Sequence, residues 1–273
     1  MPFYASHDGL RLHYDEAGDG TPLLVLPGGP GTDVRYVRDL GGLAATRRLI
    51  RADARAAGRS EVPADPATVS FVEQARDVGA LRRHLGLETV DLLAHSAGTL
   101  TAQEYAAREP HRVRRMVLVT PVGRARREPD PAELAALRAA RRHEPWYAAA
   151  TTGTDGPLAQ ARMQPFSWHT WSRERRAEYV PGHASALPWL RDAFYAGSAT
   201  AATEPARLAR LAAVPIPVLV IAGASDGLIG TAPARLVAAT YPCARLEIMT
   251  ESGHRPWTEQ PSLFHALVTD FLT

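Results

Sequence analysis

The run Val90-Asp-Leu-Leu-Ala-His-Ser-Ala-Gly-Thr99 constrains this chain more than any other stretch. Apolar residues that read as a buried strand lead into Ser96, and a segment with helical spacing leaves it at once. Ala94 stands two residues before the serine and Gly98 two after it. A sharp strand-to-helix turn that lifts a serine hydroxyl clear of the backbone needs small residues at both places, because larger ones collide. The usual pattern carries Gly at the first position, and Ala94 is the departure. Alone, such a pentapeptide is common; its place between a buried strand and a helix gives it weight.

The rest of the chain supplies a matching frame. Leu10–Tyr14 alternates apolar and polar residues, and Pro22–Pro27 is a continuous apolar run stopped by Gly28-Gly29-Pro30-Gly31. Arg48–Ala52, Val90–Leu93, Met116–Thr120, Pro217–Ala222 and Arg245–Ile248 also read as strands. Between them, Pro66–Leu85, Ser96–Ala107, Ala232–Thr240 and Pro261–Leu272 read as helices, the first with Phe71, Ala75, Val78, Leu81 and Leu85 on one face. Strands alternating with helices predict an α/β fold with a mostly parallel central sheet flanked by helices. Residues 123–208 break the rhythm with Arg-rich helical pieces, Pro131–Arg142 and Ser172–Glu178, and no buried strand. The expectation is a core domain of residues 1–122 and 209–273, with 123–208 inserted as a helical cap.

Composition excludes several classes of function. The 31 basic and 29 acidic residues nearly cancel, leaving no electrostatic footprint for nucleic acid and no polybasic membrane patch. All the basic residues are Arg, and Lys and Asn are absent, an even bias that reads as a GC-rich coding preference. The single Cys243 excludes an internal disulfide framework and is expected to be a small packed residue. No apolar run reaches the roughly 20 residues of a membrane helix, and the N-terminus lacks a signal-peptide core. A cytoplasmic globular protein is expected.

A serine hydroxyl is a weak nucleophile at neutral pH. It needs a histidine to take its proton and a carboxylate to hold that histidine's tautomer. Asp226 follows the strong strand in Ile221-Ala-Gly-Ala-Ser-Asp226, and His254 lies in Glu251-Ser-Gly-His-Arg-Pro256, between the last strand and the last helix. With Ser96 they form the expected catalytic set. The helix after Ser96 offers unpaired N–H groups at its positive end, so the Ala97 N–H is the expected first donor to an oxyanion. The second is expected from the Gly29 N–H in the Pro27–Gly31 loop, where glycine admits close approach.

With these residues the chain resembles the α/β-hydrolase superfamily, within it the proline-iminopeptidase-like branch, over about residues 10–121 and 215–272. Pro27-Gly-Gly-Pro-Gly31 is similar to that branch's His-Gly-Gly-Pro-Gly loop. Asp53-Ala-Arg-Ala-Ala-Gly-Arg-Ser60 is similar to its Asp-x-Arg-Gly-x-Gly-x-Ser, and the serine turn to its nucleophile elbow. The resemblance implies a cofactor-free serine hydrolase with a helical cap, and makes Asp53, Arg55, Gly58 and Ser60 scaffold residues. Pro27 stands where the branch has His, and Ala56 where it has Gly. Iminopeptidases hold the substrate's free amine with cap glutamates, one in a Trp-x-x-Trp-Glu stretch; here Trp168-His-Thr-Trp171 is followed by Ser172.

The expected activity is therefore hydrolysis of a small ester, amide or lactone through an acyl-enzyme. A proline iminopeptidase and a ligand-binding hydrolase fold without turnover are the alternatives. Trp146, Trp168, Trp171, Trp189 and Trp257 are the expected substrate-binding residues, so the partner is a small molecule with an apolar or aromatic portion. No metal site is expected, since His169 and His183 lack ligand spacing. His95 is expected to shape the pocket, and Arg124–Arg127 to be a solvated entry to the cap.

Overall fold

The computed structural model describes residues 2–152, 159–178 and 187–273. Among these residues eight strands form one sheet: β1 (Phe3–Ala5), β2 (Arg11–Ala17), β3 (Thr21–Leu26), β4 (Arg47–Ala52), β5 (Val90–His95), β6 (Val113–Val119), β7 (Val218–Gly223) and β8 (Ala244–Met249). Their spatial order is β1-β2-β4-β3-β5-β6-β7-β8. The β1–β2 and β2–β4 pairs are antiparallel, and every later pair is parallel. The sequence missed β1, whose three residues are too few to show a period.

The central parallel strands β3, β5, β6 and β7 are buried on both faces, and successive residues feed two different cores. Leu24, Leu92, Ala94, Met116, Leu118, Val218 and Val220 face one side, packing against Val78 and Leu81 of α1 (Phe71–His84) and Ala102 and Tyr105 of α2 (Gly98–Arg108). Leu23, Val25, Leu93, Val117, Val119, Leu219 and Ile221 face the other, against Phe264 and Val268. Each such side chain removed from water stabilises the sheet by about 1.5–3 kcal/mol. The helix expected from Pro66 begins later: Ser70 caps α1 by accepting from the Glu73 N–H at 3.3 Å, and Pro66–Val69 forms a separate 3₁₀ turn.

Between β6 and β7 the described residues form helices and no strand. They are α3 (Pro131–Ala139), α4 (Tyr147–Thr151), α5 (Ala159–Arg162), α6 (Arg173–Glu178), α7 (Leu190–Tyr195) and α8 (Glu204–Ala212). After β7 come α9 (Ala232–Thr240), the short α10 (Pro256–Glu259) and α11 (Pro261–Leu272). Among the described residues no helix is long and apolar enough to cross a membrane.

Two expectations are corrected. Cys243, immediately before β8, is exposed, because the chain enters that edge strand from the surface. Arg124–Arg127 is solvated only in part: Arg126 is exposed and pairs with Glu204 at 3.0 Å, whereas Arg124, paired with Glu128 at 2.7 Å, and Arg127 are half-buried.

Candidate active site

The parallel register brings the C-terminal ends of β5, β7 and β8 to one edge of the sheet, so the loops that follow them meet. Ser96 follows β5 with φ +53°, in the left-handed region that a non-glycine residue rarely adopts. Holding it there costs about 1–3 kcal/mol, offset by fixed bonds on both sides. The Ser96 N–H donates to the Val119 carbonyl at 2.9 Å, and the Ser96 carbonyl accepts from the Thr99 N–H at 3.1 Å. Neighbouring backbone crowds the turn. A Cβ at Gly98 would lie 2.2 Å from the Pro27 carbonyl oxygen, and one at Gly28 would lie 2.8 Å from Ser96 Cβ.

His254 Nε2 lies 2.9 Å from Ser96 Oγ, and His254 Nδ1 lies 2.6 Å from Asp226 Oδ2. A carboxylate only accepts, so Nδ1–H donates to Asp226 and leaves Nε2 to accept from the serine hydroxyl. Asp226 is fully buried, and its other oxygen accepts from the Leu228 and Ile229 N–H groups at 3.0 and 3.1 Å. Arg138 Nε donates to the Gly227 carbonyl at 2.9 Å, and Arg127 Nη2 to the Leu228 carbonyl at 3.4 Å. Two arginines thus hold from outside the turn that holds the aspartate.

The segment Gln164–Trp168 closes over these loops. The Phe166 carbonyl accepts from the Gly227 N–H at 2.8 Å, and the Ser167 carbonyl from the His254 N–H at 2.7 Å. Glu259 accepts from the Gly253 N–H at 2.7 Å and the His169 N–H at 2.8 Å. Burial pushes its carboxyl pKa up, and these backbone donors oppose the shift. Nothing around Ser167 or Glu259 in sequence marks them as supports of His254.

His95 extends the network. Its Nε2 lies 2.8 Å from the His254 carbonyl, which can only accept, so this nitrogen carries the hydrogen. In the neutral ring Nδ1 then accepts, from the Tyr36 hydroxyl at 2.6 Å, and the Tyr36 oxygen in turn accepts from the Gly28 N–H at 2.6 Å. Burial, then the neighbouring His254, holds His95 well below the ordinary imidazole range. The Gly28 N–H is therefore engaged, whereas those of Gly29 and Ala97 have no protein acceptor among the described residues.

Scaffold contacts fill the Asp53–Ser60 loop. Asp53 accepts from the Val34 N–H at 2.8 Å and bonds His13 at 2.8 Å, while Ser60 Oγ donates to the Asp53 carbonyl at 2.9 Å. Ala56 sits at φ +59°, a left-handed site that suits glycine better. Buried Arg55 donates to Asp77 at 2.6 Å and to Asp8 at 2.7 Å. His7, Asp8 and Asp77 bring three ligand atoms within 4.8 Å of one another, and the Arg55 guanidinium supplies the positive charge among them.

The tryptophans disperse. A cavity partly open to solvent reaches Gly28 and Ala97, the latter next to Ser96 in the chain, and none of the five lines it. Trp257 is corrected from substrate surface to core: it is buried between Tyr36 and Phe264, with the His95 ring centroid 4.8 Å away. Trp146 is buried edge-to-face on Phe166, and Trp189 packs beside Leu190. Buried Trp168 and half-buried Trp171 lie beneath Arg175 and Arg176. His169 is exposed and bonds Ser225 at 2.8 Å; His183 lies outside the described residues.

Residues 21–257 match the family model described as alpha/beta hydrolase fold. A proline iminopeptidase of Levilactobacillus brevis is 27% identical over 290 residues, spanning 100% of this chain and 95% of that one. Another, of Heyndrickxia coagulans, is 33% identical over 108 residues, and this match spans only 40% of this chain and 38% of the relative. The enol-lactonase of Burkholderia xenovorans LB400 superposes with a TM-score of 0.67 at 25% identity, covering 99% of both chains.

Proposed function

Because the chain belongs to the alpha/beta hydrolase fold family, we propose that it is a serine hydrolase cleaving a small ester, amide or lactone through an acyl-enzyme. Ser96 Oγ attacks the substrate carbonyl as His254 Nε2 takes its proton, and Asp226 stabilises the imidazolium that forms. Negative charge gathers on the former carbonyl oxygen, where the Gly29 and Ala97 N–H groups receive it. Collapse expels the alcohol or amine, protonated by His254. Water then repeats the sequence on the acylated serine and releases the acid.

One observation carries this reading: Ser96 in its strained turn, 2.9 Å from a histidine that is 2.6 Å from a fully buried carboxylate. We read the 123–208 segment as a cap, supported by its contacts from Phe166 and Ser167 to the Asp226 and His254 loops. Substrate apolar parts fit the cavity wall of Val69, Leu190 and Phe194.

The proline iminopeptidase relatives favour a second reading, cleavage of an N-terminal proline. Against it, Ser172 stands where a glutamate is needed, and the nearby Glu174 is exposed. An ammonium in a drying pocket needs a carboxylate beside it, since an unpaired buried charge costs several kcal/mol.

A fluorophosphonate is expected to label the wild type and not Ser96→Ala, whose hydrolysis falls by on the order of 10⁴–10⁶ with circular dichroism unchanged. In the same assays, kcat/KM for an aryl ester is expected to exceed that for a prolyl-arylamide. A preference for the prolyl substrate restores the iminopeptidase reading. Absence of both labelling and turnover points to a ligand-binding protein.

A further inference from the structure

The cavity that reaches Ala97 continues along α2, past Gly98 to Thr101. These three residues fall on one helix face, so Thr101 lies about 6 Å farther along the axis than Ala97. Thr101 is 5% exposed, yet its hydroxyl has no hydrogen-bond partner among the described residues. A buried hydroxyl without a partner is costly, and the residue that carries this one lines the cavity. Of the other polar groups on that wall, Gln74 Nε2 donates to the Val69 carbonyl at 2.6 Å, and Arg55 holds Asp77 and Asp8. With its charge matched by two carboxylates, Arg55 has none to spare for an anion.

From these observations we infer that the cavity holds the acyl arm of the substrate and selects a neutral arm bearing a hydroxyl or ketone oxygen that pairs with Thr101 Oγ1. The inference rests on the serine-hydrolase reading, since it measures the arm from an oxyanion held at Ala97. The walls between, Leu190 and Phe194 against the backbone of Gly98, exchange no hydrogen bonds with the arm and accept methylene groups. A distance of about 6 Å from the Ala97 level places the oxygen roughly five bonds from the reacting carbonyl carbon. A hydroxyl both donates and accepts, so Thr101 serves either partner.

The test compares p-nitrophenyl 5-oxohexanoate with p-nitrophenyl hexanoate. Wild type is expected to favour the oxo ester in kcat/KM by roughly five- to tenfold, the worth of one hydrogen bond. Thr101→Val, which keeps the shape and removes the hydroxyl, is expected to erase the preference. Its thermal midpoint stays at or above wild type, because an unpaired buried hydroxyl is gone. Thr101→Ser is expected to keep the preference. A wild type that favours neither ester, or a folded Thr101→Val with an unchanged ratio, overturns the inference and leaves the hydrolase reading intact. Failure to cleave either ester overturns the hydrolase reading and the inference with it.

Discussion

Tyr36 donates its hydroxyl hydrogen to His95 Nδ1 across 2.6 Å, and this single bond joins the loop before Gly29 to the loop of His254. The direction of each bond is forced. A carbonyl accepts at one end, a backbone N–H donates at the other, and the neutral imidazole has one nitrogen for each role. The chain from the Gly28 N–H to the His254 carbonyl therefore has one arrangement of hydrogens, and it sets the spacing between the two loops.

Tyr36→Phe removes the middle of that chain and leaves the Gly28 N–H and His95 Nδ1 unpaired. Stability is expected to fall by about 1–3 kcal/mol, read from urea denaturation. As the Gly28–Gly29 loop loses its anchor, kcat is expected to fall by roughly 10- to 100-fold with KM little changed. A variant with wild-type kcat would show that the loop keeps its place without the tyrosine.

Asp226→Asn keeps the side chain's shape but presents an amide to His254. The amide supports the wrong tautomer of the ring, so turnover is expected to drop by on the order of 10⁴ while KM stays close to wild type. Steady-state kinetics beside a circular dichroism spectrum decides it. Turnover near the wild-type rate would move the acid to another strand end.

The pH dependence of stability is expected to bear the mark of His95. Burial, with His254 and Arg255 nearby, lowers its pKa from the ordinary 6.5. Below pH 6.5 the unfolded chain takes up a proton that the folded ring refuses. The contribution of the neutral ring is thus fully present above pH 6.5 and is lost as pH falls below it. One such group sets a slope of at most about 1.4 kcal/mol per pH unit. Glu259 and Asp53, raised mainly by burial, slope the opposite way, so the comparison must be between proteins. His95→Gln is expected to flatten the fall in unfolding free energy between pH 7.5 and 5.5. Equal slopes in the two proteins would contradict this.

The two small residues of the serine turn are expected to behave differently. Gly98→Ala drives a methyl to 2.2 Å from the Pro27 carbonyl oxygen. Backbone on both sides must move, at a cost of about 1–3 kcal/mol, and hydrolysis falls with it. Ala94→Gly changes a fully buried strand residue and is expected to cost about 0.5–1 kcal/mol with activity kept. Thermal midpoints and kcat/KM for the pair check the contrast.

Much of the frame was legible in the sequence because buried parallel strands announce themselves as short apolar runs. The runs at Pro22, Val90, Met116 and Pro217 each became a strand within a few residues of the expected bounds. Ser96, Asp226 and His254 stood out as candidates because each follows a strand, the first two after buried apolar runs, and a parallel sheet gathers those positions at one edge. The Tyr36–His95 bond was not legible, since 59 residues separate its partners and neither stands in a pattern. Trp257 misled because an indole beside a proposed catalytic histidine suits a pocket wall and a core equally well. Only the packing of Tyr36 and Phe264 around it decides between them. Thr101 was invisible for a related reason: a hydroxyl's missing partner has no signature in residue order.

The exposed Cys243 has a practical consequence for handling the protein. It precedes β8, at the opposite end of the sheet from the loops after β5, β7 and β8. As the chain's single thiol, it offers one defined attachment point for a spectroscopic label, with strands of about 20 Å between dye and serine. It also allows two copies to become cross-linked in air. Such a dimer joins the molecules at the ends remote from Ser96, so a reducing agent should change the elution volume of the preparation without changing its hydrolysis.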